Sequence, residues 1–550
     1  MKRFVVILFC CISLYPILSC GSRHVPQKPD TIPPTIVSTE PANSATVVAV
    51  SSTMTITIVF SEAMNSSTIN GSTVLLTSAA TGTVDGSVTY DTATNIATFK
   101  TNSVEYNITH MATVTTGAQD AAGNPLAASY SWIFITVPPG ALDTSFGSGG
   151  RVRTGLGFDD DKALAMAIQD DGKILTAGLS TEGTSSIFTI ARFQTSGALD
   201  TTFGLRENGR ADYFIGEARC VGLQTDGKIV AAGTNGTDAL IARYKADGTR
   251  DEKTPSEEGF NATGTATLSI VSGRNIINSL ALQQNELNDE MIVVVGEAYS
   301  EGTNTQSFIA RFTPEGKLDT NFGTNGIHTD IIDGTLSSSA EVVKIQSDGK
   351  IVVGGNFKDS AGTKSGYLRR YDKDGNLDQS FASNSGMVTI STGTNSILTA
   401  VVIIPVDEIL VAGTKNIGAY DLFLMRYDKD GNLDSTFGTT GSVFIDDINH
   451  GVEQAADLAV QTDGKIIIGA TFHPVTGTIL TNDFALFRYD ANGALDTTFG
   501  NGDGMTTTDF GSGYYDEISA IGLQQDGKII SVGSSWNGSD FDIGIARYWP

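Results

Sequence analysis

Cysteine is almost missing from this chain of 550 residues: of four, Cys10, Cys11 and Cys20 fall in the first twenty positions. Only Cys220 stands beyond them, inside an apolar run, where it reads as a small core residue. No disulfide can form within the body, so stability must come from packing. Positive charge is also scarce, with 35 Lys and Arg against 61 Asp and Glu and a net charge of −26. Phosphate backbones are held by clustered Lys and Arg, and no such stripe occurs, so nucleic acid is not an expected partner. His24, His110, His328, His450 and His473 are scattered without ligand spacing, which argues against zinc. There is no phosphate-binding loop, dinucleotide fingerprint or GxSxG elbow. No enzyme is expected, and no catalytic residue can be named.

What is present begins with an address. Lys2 and Arg3 precede an apolar stretch over residues 4–14, too short to span a bilayer and ordered as a secretory signal is. The stretch closes on Ile17-Leu18-Ser19-Cys20, which resembles a bacterial lipobox. That resemblance implies a signal peptide over residues 1–19 and a lipid-modified Cys20 opening a proline-rich tether over 20–32. The expected location is the outer membrane or cell surface, lipid-anchored, with the membrane itself as a partner.

Residues 33–137 alternate β-branched and apolar residues in short runs, as in 54–60 (MTITIVF), 73–76 and 112–116, separated by turn-rich segments. This pattern predicts a β-sandwich. PPTIVSTEPANSATVVAV, FSEAM, DAAGNPL and the closing YSWIFIT resemble the bacterial Ig-like domain of surface proteins. The resemblance implies a spacer. Pro138-Pro139-Gly140 then ends the pattern.

From residue 141 to 550 one paragraph recurs seven times. Its most regular mark is an arginine before an aromatic, at Arg192, Arg243, Arg311, Arg370, Arg426, Arg488 and Arg547, spaced by 51, 68, 59, 56, 62 and 59 residues. Units open GxLDxxFGxxG, except that the third has Arg250-Asp251 in place of Leu-Asp and an extra acidic stretch behind it, and carry an apolar run ending QxDGKI, where the fifth has Pro405-Val406-Asp407-Glu408 instead. The wording resembles the delta-60 repeat family, which implies a propeller-like domain and no settled activity. Independently, Asp-Gly pairs such as Asp171-Gly172 predict type I′ hairpins. Four antiparallel strands per unit, seven times over, predict a seven-bladed β-propeller. The strand at 151–154 is expected to pair with 544–548 and close the ring.

The seven arginines are expected to clamp the repeat, paired with Asp200, Asp251, Asp319, Asp378, Asp434, Asp496 and Asp143. Two loops, 372–378 and 428–434, come near calcium-loop spacing, but their acids vanish in neighbouring units and a polar turn is the better reading, so no cofactor or metal is expected. In such a blade the constant turns share one side and the changing loops the other, where binding is usually carried. Acids and aromatics meet there in Phe158, Asp159, Asp160, Asp161, in Asp446, Asp447, and in Phe510, Tyr514, Tyr515, Asp516, Glu517. The expectation is a monomeric, non-catalytic binding or adhesion scaffold for a protein or glycan ligand. A polysaccharide lyase or hydrolase with acids near the funnel, and a purely structural envelope protein, are the alternatives.

Overall fold

The computed structural model describes residues 29–49, 53–103, 105–106, 108–157, 159–254, 259–302, 304–330, 332, 335–392, 395–416, 420–445, 452–473, 481–500, 502–511 and 515–550. Cys20 and the residues before it, expected to be a signal peptide, lie outside them. The chain divides into two compact units, the first of Met1–Ala45, Thr53–Ser103 and Thr109–Phe134, the second of Ile135–Pro550 with the short segments Thr46–Ser52 and Val104–Ile108.

The first unit is a sandwich of two antiparallel sheets. Strand Met54–Phe60 buries every second residue, so Met54, Ile56, Ile58 and Phe60 form one wall of its core. Val114, Trp132 and Phe134 from strands Thr109–Val114 and Tyr130–Val137 form the other wall. His110 is fully buried and stacks on Phe134 at 5.6 Å between ring centres.

The second unit is all-β. Among the described residues it holds seven four-stranded antiparallel sheets, each built from consecutive strands except the last. Blade one, for example, runs Asp161–Ile168, Ile174–Glu182, Ser185–Phe193, Arg210–Ile215 from the centre outward. The innermost strands touch one another in an unbroken cycle, the first meeting the seventh, which makes the array a closed ring. Blade seven takes three strands from the C-terminal end and its outer strand from Arg151–Thr154. The register is Arg151 to Ala546, Val152 to Ile545, Arg153 to Gly544 and Thr154 to Ile543.

The Asp-Gly turns differ from the expected type I′. Gly172 has φ 80° and Asp171 does not share the left-handed region. Gly172 N donates to Gln169 O and Gln169 N to Lys173 O, which is a three-residue loop ending in a left-handed glycine. A second Asp role explains this: the Asp171 carboxylate accepts from Lys173 N and holds the turn. In blade five the turn puts Val406 at φ 67°, a region a β-branched residue enters only under strain.

Each innermost strand carries a β-bulge near its start, at Leu164, Arg219, Asn278, Glu341, Thr399, Ala456 and Ser519. The bulge thrusts a carbonyl oxygen at the neighbouring strand, where Gly178, Gly233, Gly296, Gly355, Gly413 and Gly533 lie opposite. A Cβ there would sit 1.8–2.2 Å from that oxygen, which accounts for the repeated glycine.

Candidate functional site

The repeating side of the ring is occupied by its own joints. Each repeat arginine donates from Nε to the paired aspartate eight residues on, or Asp143 for Arg547, at 2.7–2.9 Å. Its guanidinium lies 4.5–5.0 Å above the phenylalanine that follows the paired aspartate, which is Phe260 after the longer insert in the third unit and the LDxxF phenylalanine in the others. Six of the seven reach on with Nη1 to a carbonyl of the next blade, such as Arg192 to Ala246 O and Arg370 to Lys429 O. The phenylalanine itself slides beneath the next blade's glycine, as Phe203 does under Gly248 and Phe499 under Gly140. Those glycines have φ 79–89°, and a Cβ would lie 2.5–3.0 Å from the ring. A cavity of about 840 Å³ opens on this side, but Gln283, Arg311 and Lys373 in its wall are already engaged across the joint between blades three and four, and Gln346 across that between blades four and five.

Charge follows the same pattern. Burial raises Asp378, but Ser380, Arg370 and Lys350 more than offset it and hold the carboxyl at about 2. Asp496 behaves alike, with burial outweighed by Thr498, Arg488 and Lys465, and also stands at about 2. The loops of calcium-like spacing are polar turns: Asp372 accepts from Asp374 N and Asn376 N, and Asp428 from Asp430 N and Asn432 N.

On the opposite side the sequence-derived residues separate. Phe158, Asp446, Asp447 and Tyr514 lie outside the described residues. Asp159 is exposed and caps Gly183 N, while Asp160 accepts from Phe541 N in blade seven. Asp161 and Asp516, expected at the surface, are buried and tie down the preceding loop, accepting from Leu156 N and Phe510 N respectively. The reason is positional: each begins an innermost strand, where the incoming loop leaves amide donors to satisfy. Phe510 packs edge-on against core residue Phe484 at 4.9 Å, whereas Tyr515 and Glu517 are exposed. Asp516 is joined by Asp483 and Asp509, with carboxylate oxygens within 4.8 Å of one another. Burial first, then Asp509 and Asp516, push Asp483 up to about 6.

The central funnel holds the arrangement that residue-by-residue reading passed over. Leu164, Arg219, Asn278, Glu341 and Thr399, bulge residues of five successive blades, line one cavity of about 440 Å³. It shares Glu341, Asn356 and Ile397 with a second cavity of about 240 Å³, walled by Glu297, Ser339, Phe357, Lys358 and Lys364. Arg219 bonds Glu217 at 3.2 Å and donates to Asn278 Oδ1 at 3.3 Å; Asn278 in turn donates to Ala340 O. Ser339 Oγ donates to Glu341 Oε1 at 2.6 Å. Glu297 is raised by burial and then by the Glu341 charge, against the pull of Arg219 and Arg274. A signal for this site was available. The bulge lies five residues before the repeated Gln, or before Ile404 in blade five, and it carries Leu, Arg, Asn, Glu, Thr, Ala and Ser in a strand that otherwise repeats.

Comparison with known proteins fits this geometry. Residues 30–136 match the model of a bacterial Ig-like domain. Seven segments, 169–203, 224–252, 287–322, 346–381, 407–437, 461–499 and 524–550, match a domain of unknown function (DUF5122) beta-propeller. No curated protein matches. Among solved structures, a glucose dehydrogenase has a TM-score of 0.35 at 9% identity, over 59% of this chain and 95% of its own. A putative gluconolactonase has 0.31 at 10%, over 75% and 100%. An endo-arabinase from Bacteroides thetaiotaomicron has 0.26 at 10%, over 49% and 93%. Likeness at that level carries no functional argument. The chain therefore joins a bacterial Ig-like domain to a DUF5122 beta-propeller.

Proposed function

We propose that this protein is an exported, lipid-anchored, non-catalytic binding scaffold, in which the Ig-like domain is a spacer and the non-repeating side of the propeller meets a protein or glycan. One observation carries the reading: the repeat side spends its Arg, Asp and Phe on joining blades, while the other side holds every non-repeating loop and the polar half of the funnel. Diversity on a rigid frame is the usual basis of recognition. The test is capture by glycan and matrix-protein arrays, comparing the full chain with one whose loops at 155–160 and 509–515 are replaced by Gly-Ser. Loss of capture on replacement is expected; capture that survives it would sink the reading.

Glu297 and Glu341 in the funnel favour a second reading, a polysaccharide-cleaving enzyme, because two carboxyls lining one cavity, one of them raised by burial, are the makings of an acid and base pair. Release of reducing ends from plant or microbial polysaccharides, abolished by Glu297→Gln, would establish it over the scaffold.

A further inference from the structure

We propose that the funnel between blades two and five binds a neutral sugar, the exposed end of a glycan, with Glu297, Glu341, Lys358 and Lys364 as its polar contacts and Phe357 as its apolar one. This rests on the reading of the non-repeating side as the binding side and names what that side takes.

The fold makes seven equivalent bulges, and an indifferent ring would fill them alike. Instead Arg219, Asn278, Glu341 and Thr399 occupy four consecutive places, while Leu164, Ala456 and Ser519 take the rest. Polarity is thus gathered on one side of the axis, adjoining the smaller cavity. A β-bulge is a device for re-aiming a side chain, and here it aims four polar ones at a common space.

The lining also tells which chemistry suits it. Arg219 is balanced by Glu217 and tied to Asn278, so its charge is spent. Glu341 keeps one oxygen clear of Ser339, and the side chains of Glu297, Lys358 and Lys364 make no hydrogen bond or ion pair among the described residues. Two free acceptor groups and two free donor groups therefore face the cavity, their charges cancelling. A ligand of net charge gains nothing from such a lining. A ring of hydroxyls, each able to donate and accept, matches it, and the Phe357 ring and Ile397 offer a surface for the sugar's C–H face.

The experiment is a titration of the full chain with D-glucose, D-galactose, D-mannose and L-arabinose, against glucosamine, glucuronate and glycine, by calorimetry and saturation-transfer NMR. At least one neutral sugar is expected to bind with a Kd on the order of 1 mM or tighter. Glu341→Gln and Lys364→Ala should each weaken it by roughly tenfold, charge-assisted hydrogen bonds being lost. Lys373→Ala, on the repeat side, should leave it unchanged, and thermal midpoints report whether each variant is folded. Tighter binding of the charged or zwitterionic compounds, no binding of any sugar, or folded funnel variants that bind as before would each overturn the proposal. Failure here with array capture intact would leave the scaffold standing on its rim loops. Sugar binding in the absence of array capture would reject the loops and keep the funnel.

Discussion

Arg370 is 2% exposed, and it brings a guanidinium into the interior of a domain whose cysteine, Cys220, is free. It is tolerable because every direction is satisfied: Asp378 Oδ2 at 2.9 Å, Lys429 O at 2.6 Å, Asp430 Oδ1 at 3.1 Å, and the Phe381 ring below. Removing it leaves Lys429 O without its donor across the joint and the part-buried Asp378 carboxylate with only Ser380 and Lys350. Arg370→Met should therefore cost about 3–5 kcal/mol in urea unfolding, and Arg370→Lys should recover only part, since an ammonium cannot reach acceptors in two blades at once. The same pairs set the acid limit. Asp378 and Asp496 stand at about 2 in the fold, below their ordinary value of 3.8, so the native state binds fewer protons than the unfolded chain. Their contribution is complete above about pH 4 and is lost as pH falls toward 2. A melting temperature that stays level from pH 4 down to 2 would contradict this assignment.

At the scale of the element, the bulge and its facing glycine are one unit. Gly533 leaves room for Glu517 O, which would lie 1.9 Å from any Cβ. Gly533→Val should force the bulge out of the strand and lower stability by about 3 kcal/mol or more, read by thermal unfolding. Strand identity was legible in the sequence because period-two alternation and Asp-Gly pairs are local signals: Met54–Phe60 and Ile174–Glu182 follow from them. Turn type was not, since Asp171 retains its ordinary backbone by bonding Lys173 N, a choice made by hydrogen bonding rather than composition. The clamp was legible because Arg and Asp recur at fixed distance. The funnel was not, because Glu297 and Glu341 come from different blades and only the ring brings them together. Burial of Asp161 and Asp516 escaped for a related reason, an acid-rich loop looking alike whether its carboxylate faces water or an amide.

On the scale of the ring, everything depends on one shared blade. Deleting Arg151–Thr154 removes the outer partner of strand Phe541–Tyr548 and bares its edge while leaving six blades with all their strands. Such a chain should self-associate, visible as larger species by light scattering during gel filtration, since an unpaired edge templates strand addition. A strictly monomeric, fully stable product would show that the shared blade is dispensable.

That sheet also imposes a timetable on biogenesis. Arg151–Thr154 is made long before its partner Phe541–Tyr548 leaves the ribosome. The early strand lacks its ladder partner until Phe541–Tyr548 arrives, and contacts so distant in sequence form slowly. Until then the half-finished molecule is a row of blades with two open ends, and any second copy nearby can offer the missing strand first.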